Sequence, residues 1–315
     1  MDELDVRAAA ERIAGRVHAT PVETSATLDR RVGATVVVKN EALQKTGSFK
    51  ARGALNRLVT LSTEDLERGL IAISAGNHAA ALAWAAAEIG AKATVVMPLR
   101  APAAKVAACR EYGAEVVLHG DTTGEAFAES ERLRDERGLT FVHPFDDLEV
   151  VAGQGTAALE LVREAGPVDV WVVPVGGGGL ACGTALAVRA ANPDCRVIGV
   201  EPEGARTVST ALAAGHPVPI VPRSVADGLC APRAGDLTLG TFRELVDDIA
   251  ILSDQEILAG VRFVMERMKV VAEPAGACGI AALLSGRIGD VAGRRVGTVT
   301  SGGNLDLAAV ASRLP

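Results

Sequence analysis

Between residues 70 and 142 the chain alternates short, unbroken apolar runs with longer stretches of helical composition, and few architectures accommodate that rhythm. Leu70-Ile71-Ala72-Ile73, Ala93-Thr94-Val95-Val96-Met97 and residues 114–118 and 139–142 read as strands. Helical segments are expected at 79–89, after Pro98 through Arg110, and at 125–137. The pattern extends to strands expected at 36–40, 168–175, 196–200, 249–252 and 296–300. Val/Ile runs without polar alternation belong to strands covered on both faces, and their alternation with helices predicts an α/β protein built on parallel sheets. No linker or low-complexity stretch divides the chain. The softest boundaries, near 62–69 and 143–149, suggest a small α/β unit inserted into a larger one. Residues 217–236, with four prolines, read as a long loop of the kind that carries function.

Several function classes are disfavoured at once. A net charge of −7 and 3% aromatic residues suit neither a phosphate backbone nor stacked bases. The five cysteines, Cys109, Cys182, Cys195, Cys230 and Cys278, include no C-x-x-C pair. Neither a disulfide framework nor a zinc knuckle is expected, and a reducing cytoplasm is. The acidic start, Met1-Asp2-Glu3-Leu4-Asp5, is unlike a signal peptide. Residues 170–188 carry no charge, but Pro174 and four glycines interrupt them, which favours strand, turn and helix over a membrane span.

Open α/β sheets bind ligands at the carboxyl ends of their strands, so strand-to-helix turns are the places to look. Gly176, Gly177, Gly178 and Gly179, followed by Leu180, lie between an expected strand and helix. Glycines let the backbone approach an anion closely at a helix N-terminus, so this turn reads as a phosphate cradle. In Ser74-Ala75-Gly76-Asn77-His78 two readings stay open: Asn77 caps the helix, or the loop holds a carboxylate or ring oxygen. In Ser301-Gly302-Gly303-Asn304 the Ser301 hydroxyl can face a ligand, or the segment is an ordinary turn. Lysine is scarce against arginine, and Lys50 alone has an informative context, between Phe49 and the nearby Arg52. An aromatic face and a neighbouring cation would keep its amine partly neutral, as a Schiff-base lysine requires. Lys39, Lys45, Lys92, Lys105 and Lys269 have no informative context.

These segments, with Asn40-Glu41 and Ala152-Gly153-Gln154-Gly155-Thr156, occur in an order that resembles the fold-type II pyridoxal-phosphate enzymes, specifically the threonine/serine ammonia-lyase and serine racemase branch. The resemblance implies a fold like that of tryptophan synthase β, with two open twisted α/β domains: a large one at 1–62 and 144–315 and a small one inserted at 63–143. It implies pyridoxal 5′-phosphate bound covalently at Lys50, Phe49 against the ring, Asn77 on its 3′-oxygen, Ser301 facing the pyridine nitrogen, and the phosphate on Gly176 to Gly179 and the Leu180 amide. Ser74, Ala75, Gly76, Asn77 and His78 would grip the substrate carboxylate, and Gly228 would line the site.

The implied reaction is dehydration and deamination of a β-hydroxy L-amino acid by a cytoplasmic homodimer or homotetramer. L-Threonine is the first choice, partly because the His143-Pro144-Phe145-Asp146 stretch looks most like the threonine branch, and L-serine is a side substrate. Serine racemase and threo-3-hydroxyaspartate ammonia-lyase are the alternatives within the family. Ala75 stands where a racemase would carry serine, which argues for elimination. A divalent cation would use Glu201 and Ala205, but Thr207 replaces the expected aspartate. Outside the family, Gly176-x-Gly178-x-x-Ala181 with Glu201 downstream also fits a dinucleotide fingerprint, and hence an NAD-dependent dehydrogenase.

Overall fold

The computed structural model describes residues 3–74 and 76–314. Its strands are β1 (Val22–Thr24), β2 (Thr35–Asn40), β3 (Leu70–Ile73), β4 (Ala93–Met97), β5 (Glu115–Leu118), β6 (Thr140–Phe141), β7 (Val170–Pro174), β8 (Arg196–Pro202), β9 (Asp248–Leu252) and β10 (Arg295–Thr300). They form a six-stranded sheet in the order β1-β2-β10-β7-β8-β9 and a four-stranded sheet in the order β5-β4-β3-β6. Every pairing is parallel except the antiparallel β1–β2 edge. The short strand β1 is the one strand that the apolar pattern does not announce.

Successive strand side chains point to opposite faces, and here both faces are buried. Val36, Val38, Val170, Val172, Ile198 and Val200 enter one core, while Val37, Trp171, Val173 and Val197 enter the other. A third core lies against the smaller sheet and combines Leu70, Ala72, Val95 and Met97 with Ile13, Ala51, Leu55 and Leu58 from the start of the chain. The uncharged stretch 170–188 is a strand, a glycine turn and the helix Gly179–Ala191. No helix among the described residues is long and apolar enough to cross a membrane.

One helix, Leu148–Ala165, holds the two site-bearing helices at backbone distance. A Cβ at Gly153 would come within 2.6 Å of the Gly53 Cα, on the helix Lys50–Val59. A Cβ at Gly183 would overlap the Val151 carbonyl and stand 2.7 Å from the Gly155 nitrogen. Gln154 accepts the Gly53 N–H at 3.1 Å, and Thr156 accepts from Arg52 at 3.2 Å. The Ala152-Gly153-Gln154-Gly155-Thr156 motif is therefore a packing spine that sets the distance between the lysine and the glycine turn. Gly183→Ala should force the helices apart and destabilise the fold by roughly 1–3 kcal/mol, measured by denaturant unfolding.

Candidate active site

The strand order places β10 between β2 and β7, so the segments after these three carboxyl ends meet. Lys50 follows β2, the glycine turn follows β7, and Ser301 follows β10. The Ser74 loop follows β3 of the smaller sheet and faces them across a cavity of about 400 Å³. Phe49, Lys50, Ser74, Gly76, Asn77, His78, Gly176 to Leu180, Gly228 and Ser301 all line it. Ala75 lies outside the described residues. A wider cleft of about 1030 Å³ adjoins the cavity, with Gly76, Asn77, Lys105 and Asp227 common to both.

Lys50 opens its helix without a side-chain cap from Phe49. Its Nζ donates to the Pro144 carbonyl at 2.7 Å and stands 5.2 Å from the centre of the Phe49 ring. Burial lowers the amine from its ordinary value to about 8. Arg52 has no part in this, contrary to the sequence expectation. Its guanidinium is fully buried and turned away, forked onto Glu41 at 2.7 and 2.8 Å and onto Glu160 at 2.6 and 2.8 Å. Only the neutral amine is nucleophilic, so covalent capture of pyridoxal phosphate by cofactor-free protein should accelerate from pH 7 to 9 with a midpoint near 8. Stopped-flow absorbance of the bound cofactor measures it.

Gly178 caps the helix Gly179–Ala191 with φ +99°, a conformation that requires glycine. A Cβ at Gly177 would run into the Phe145 ring, and one at Gly179 would stand 3.0 Å from the Phe145 Cβ. The turn thus exposes backbone N–H groups at a helix start, with no side chain in the way. Beside it, the Ser301 hydroxyl donates to the Ala275 carbonyl at 3.5 Å, and Ser74 accepts the Gly76 N–H at 3.1 Å. A Cβ at Gly228 would stand 3.0 Å from that of Ala275, so Gly228 brings the loop close to the wall.

Asn77 is not a cap; Gly76 occupies the cap position. The Asn77 Nδ2 donates to the Glu273 carboxylate at 2.6 Å, and its Oδ1 accepts from Asn304 at 3.0 Å. Burial, reinforced by Asp227, pushes the Glu273 carboxyl up to about 7. The His78 Nε2 faces the Val142 carbonyl at 3.0 Å and so carries the proton, leaving Nδ1 buried without a partner. Burial, then the Lys50 charge, push this imidazole down to about 3. Glu273, Lys105 and Asp227 were not singled out from the sequence, although all three border the cavity. Glu273 directly before Pro274 is a helix-start signal, but nothing local marks it as a site residue.

The candidate cation site does not fit a cation. The Glu201 carboxylate caps the helix Thr207–Ala214, accepting from Val208 N at 2.6 Å, from Ser209 N at 3.1 Å and from the Ser209 hydroxyl. Thr207 donates its hydroxyl to the Ala231 carbonyl at 2.7 Å, and Ala205 is buried. Among the described residues no group of three or more His, Cys, Asp or Glu is placed to hold a metal. The same cap occupies Glu201, so the dinucleotide reading loses its acidic partner for a ribose.

An enclosed lysine amine facing a side-chain-free anion cradle across a small cavity fits pyridoxal phosphate. The sequence matches the family described as pyridoxal-phosphate dependent enzymes over residues 13–302. The chain belongs to that family. It is 46% identical over 311 residues to an L-threo-3-hydroxyaspartate ammonia-lyase from a Pseudomonas species, with 98% of this chain and 97% of the relative covered. To an L-threonine ammonia-lyase of Thermotoga maritima it is 42% identical over 304 residues, covering 96% of this chain and 75% of the relative. The structure of maize serine racemase superposes with a TM-score of 0.92 at 38% identity, covering 99% of this chain and 96% of that one. The protein is a pyridoxal-phosphate enzyme of the fold-type II class, and the dehydrogenase reading is set aside.

Proposed function

We propose that this enzyme eliminates the β-hydroxyl of an L-amino acid and releases ammonia, converting L-threonine to 2-oxobutanoate and, more slowly, L-serine to pyruvate. The observation that carries the reading is the Lys50 amine, enclosed and lowered, where three strand ends meet. The ammonia-lyase names of its relatives support the same reaction. When bound, pyridoxal phosphate supplies a sink for the electron pair left as the Cα proton departs.

The chain's own groups do the rest. The N–H groups of Gly176 to Gly179 and Leu180 bind the phosphate at the helix start. Phe49 would pack on the ring, and Asn77 would meet its 3′-oxygen. The Ser74–His78 loop holds the substrate carboxylate. Gly228 would line the site, where its lack of a side chain lets its loop close on Ala275. Lys50 Nζ, once free, would take the Cα proton. Ser301 presents an uncharged hydroxyl to the pyridine nitrogen. An uncharged hydroxyl would not keep that nitrogen protonated as a carboxylate would, which favours loss of the β-hydroxyl as water, with the proton taken from Cα balancing the one it carries away. Racemisation needs a second proton-transfer group on the opposite face, and Ala75 supplies only a methyl.

Residues 63–143 form the small domain in this reading, and 1–62 with 144–315 the large one. The protein acts as a cytoplasmic homodimer or homotetramer. Support for assembly comes from exposed Leu43, Val271 and Leu307, and support for a reducing compartment from five free cysteines. Incubating the cofactor-loaded protein with L-threonine should yield 2-oxobutanoate and ammonia in equal amounts. If no 2-oxo acid forms from L-threonine, L-serine or threo-3-hydroxyaspartate, the reading fails.

A further inference from the structure

We infer that the Lys105–Asp227 pair, with Glu273 behind it, makes this site select β-hydroxy amino acids with an uncharged side chain and turn away those bearing a second carboxylate. The inference rests on the elimination reading above and names its substrate class.

It begins from the charges that border the cavity. Among the described residues these are two carboxylates, Asp227 and Glu273, and two lysines, Lys50 and Lys105; no arginine lines it. Lys50 is committed to the cofactor and the Cα proton. His78 is neutral, because Val142 fixes its tautomer and burial opposes its charging. Lys105 is thus the one remaining cation. Its Nζ already stands 2.8 Å from the Asp227 carboxylate. The Asn77 side-chain amide already donates to Glu273 at 2.6 Å.

A substrate with a single carboxylate meets the backbone donors of the Ser74 loop and needs no further counter-ion. A dicarboxylate such as threo-3-hydroxyaspartate brings a second negative charge, and that charge must either displace Asp227 from Lys105 or remain unpaired beside the Asp227 carboxylate. Like charges brought together at a binding site are a strong basis for rejection. A methyl group in that place meets no such barrier. Asp227 is largely exposed, so solvent weakens the repulsion without removing it.

The pair also joins two parts of the fold. Lys105 lies on the helix Ala103–Glu111, and Asp227 lies in the turn Asp227–Leu229. Breaking it also loosens the tie between these two parts, but such an effect acts on both substrates alike. The ratio of their kcat/KM values isolates the charge effect.

The test compares L-threonine with L-threo-3-hydroxyaspartate on the cofactor-loaded enzyme. The wild type should favour L-threonine in kcat/KM by roughly tenfold or more, of the order set by like-charge repulsion at a partly exposed site. Asp227→Asn keeps the shape, frees Lys105 and should shift the ratio toward hydroxyaspartate by roughly tenfold. Adding Lys105→Met should cancel that shift, while Lys105→Met alone should move the ratio further toward L-threonine. A wild type that prefers hydroxyaspartate overturns the inference. So does an Asp227→Asn variant in which both substrates fall equally, since that is the effect of the loosened tie alone. Turnover of neither substrate by the wild type would instead sink the elimination reading.

Discussion

Replacing Lys50 by alanine should lower 2-oxo acid formation from L-threonine by at least roughly 10⁴-fold, because one side chain supplies both the covalent attachment and the proton transfer. The fold should survive. The Lys50 Nζ makes one hydrogen bond, to the Pro144 carbonyl, and its ammonium form is disfavoured by burial. Removing a desolvated amine relieves an unfavourable charge, so the unfolding midpoint should stay the same or rise slightly. The glycine turn is untouched by the change, so the variant should still bind pyridoxal phosphate, now removable by dialysis and not trapped by borohydride. Turnover close to wild type would show that another group takes the Cα proton and would remove the central assignment.

Much of this arrangement is legible in the sequence, for a definite reason. The strand runs that carry the site are continuous and apolar, so their carboxyl ends are sharply marked; the glycines lie just after one of those ends, and Lys50 opens the helix that follows another. The order β2-β10-β7 is not legible. Nothing local in residues 35–40 says that they pair with residues 295–300, and that pairing brings Ser301 to Lys50. The side chains that were missed share this character. Glu273 acquires its importance from Asn77, far away in sequence, and Lys105 from Asp227. Each looks ordinary in its own neighbourhood.

The reverse also occurs, where a sequence signal is real but its cause is different. The motif 152–156 serves helix packing through Gly153, Gln154 and Gly155, not the cavity. Glu201 ends its strand with a buried carboxylate, as a ligand would, yet the amides of Val208 and Ser209 use it as a helix cap. Arg52, close to Lys50 in sequence, points to the opposite side of the helix and into a different network.

That network gives the largest expected effect on stability. Arg52→Met should destabilise the protein by roughly 3–5 kcal/mol, the usual cost of leaving a buried ion cluster without one partner. Arg52 and Glu41 are both wholly buried, and Lys39 is nearly so. The guanidinium forks onto Glu41 and Glu160 and also reaches Thr156 and the His18 carbonyl, at 3.2 and 3.3 Å. Lys39 meets Glu160 at 2.7 Å but donates to the Thr20 carbonyl at 2.6 Å, so it cannot move to replace the fork. Methionine fills much of the volume but satisfies none of the carboxylate oxygens, and Glu41 has no route to solvent. Arg52→Lys should recover only part of the loss, since an ammonium cannot make two bidentate contacts. Urea unfolding of the three proteins measures the series. A loss below about 1 kcal/mol for Arg52→Met would mean that Glu41 and Glu160 find other partners, placing the cluster in the class of surface pairs. Because Arg52 sits in the first turn of the Lys50 helix, the destabilised variant should also capture pyridoxal phosphate more slowly at every pH, without moving the midpoint near 8 that burial of the Lys50 amine sets.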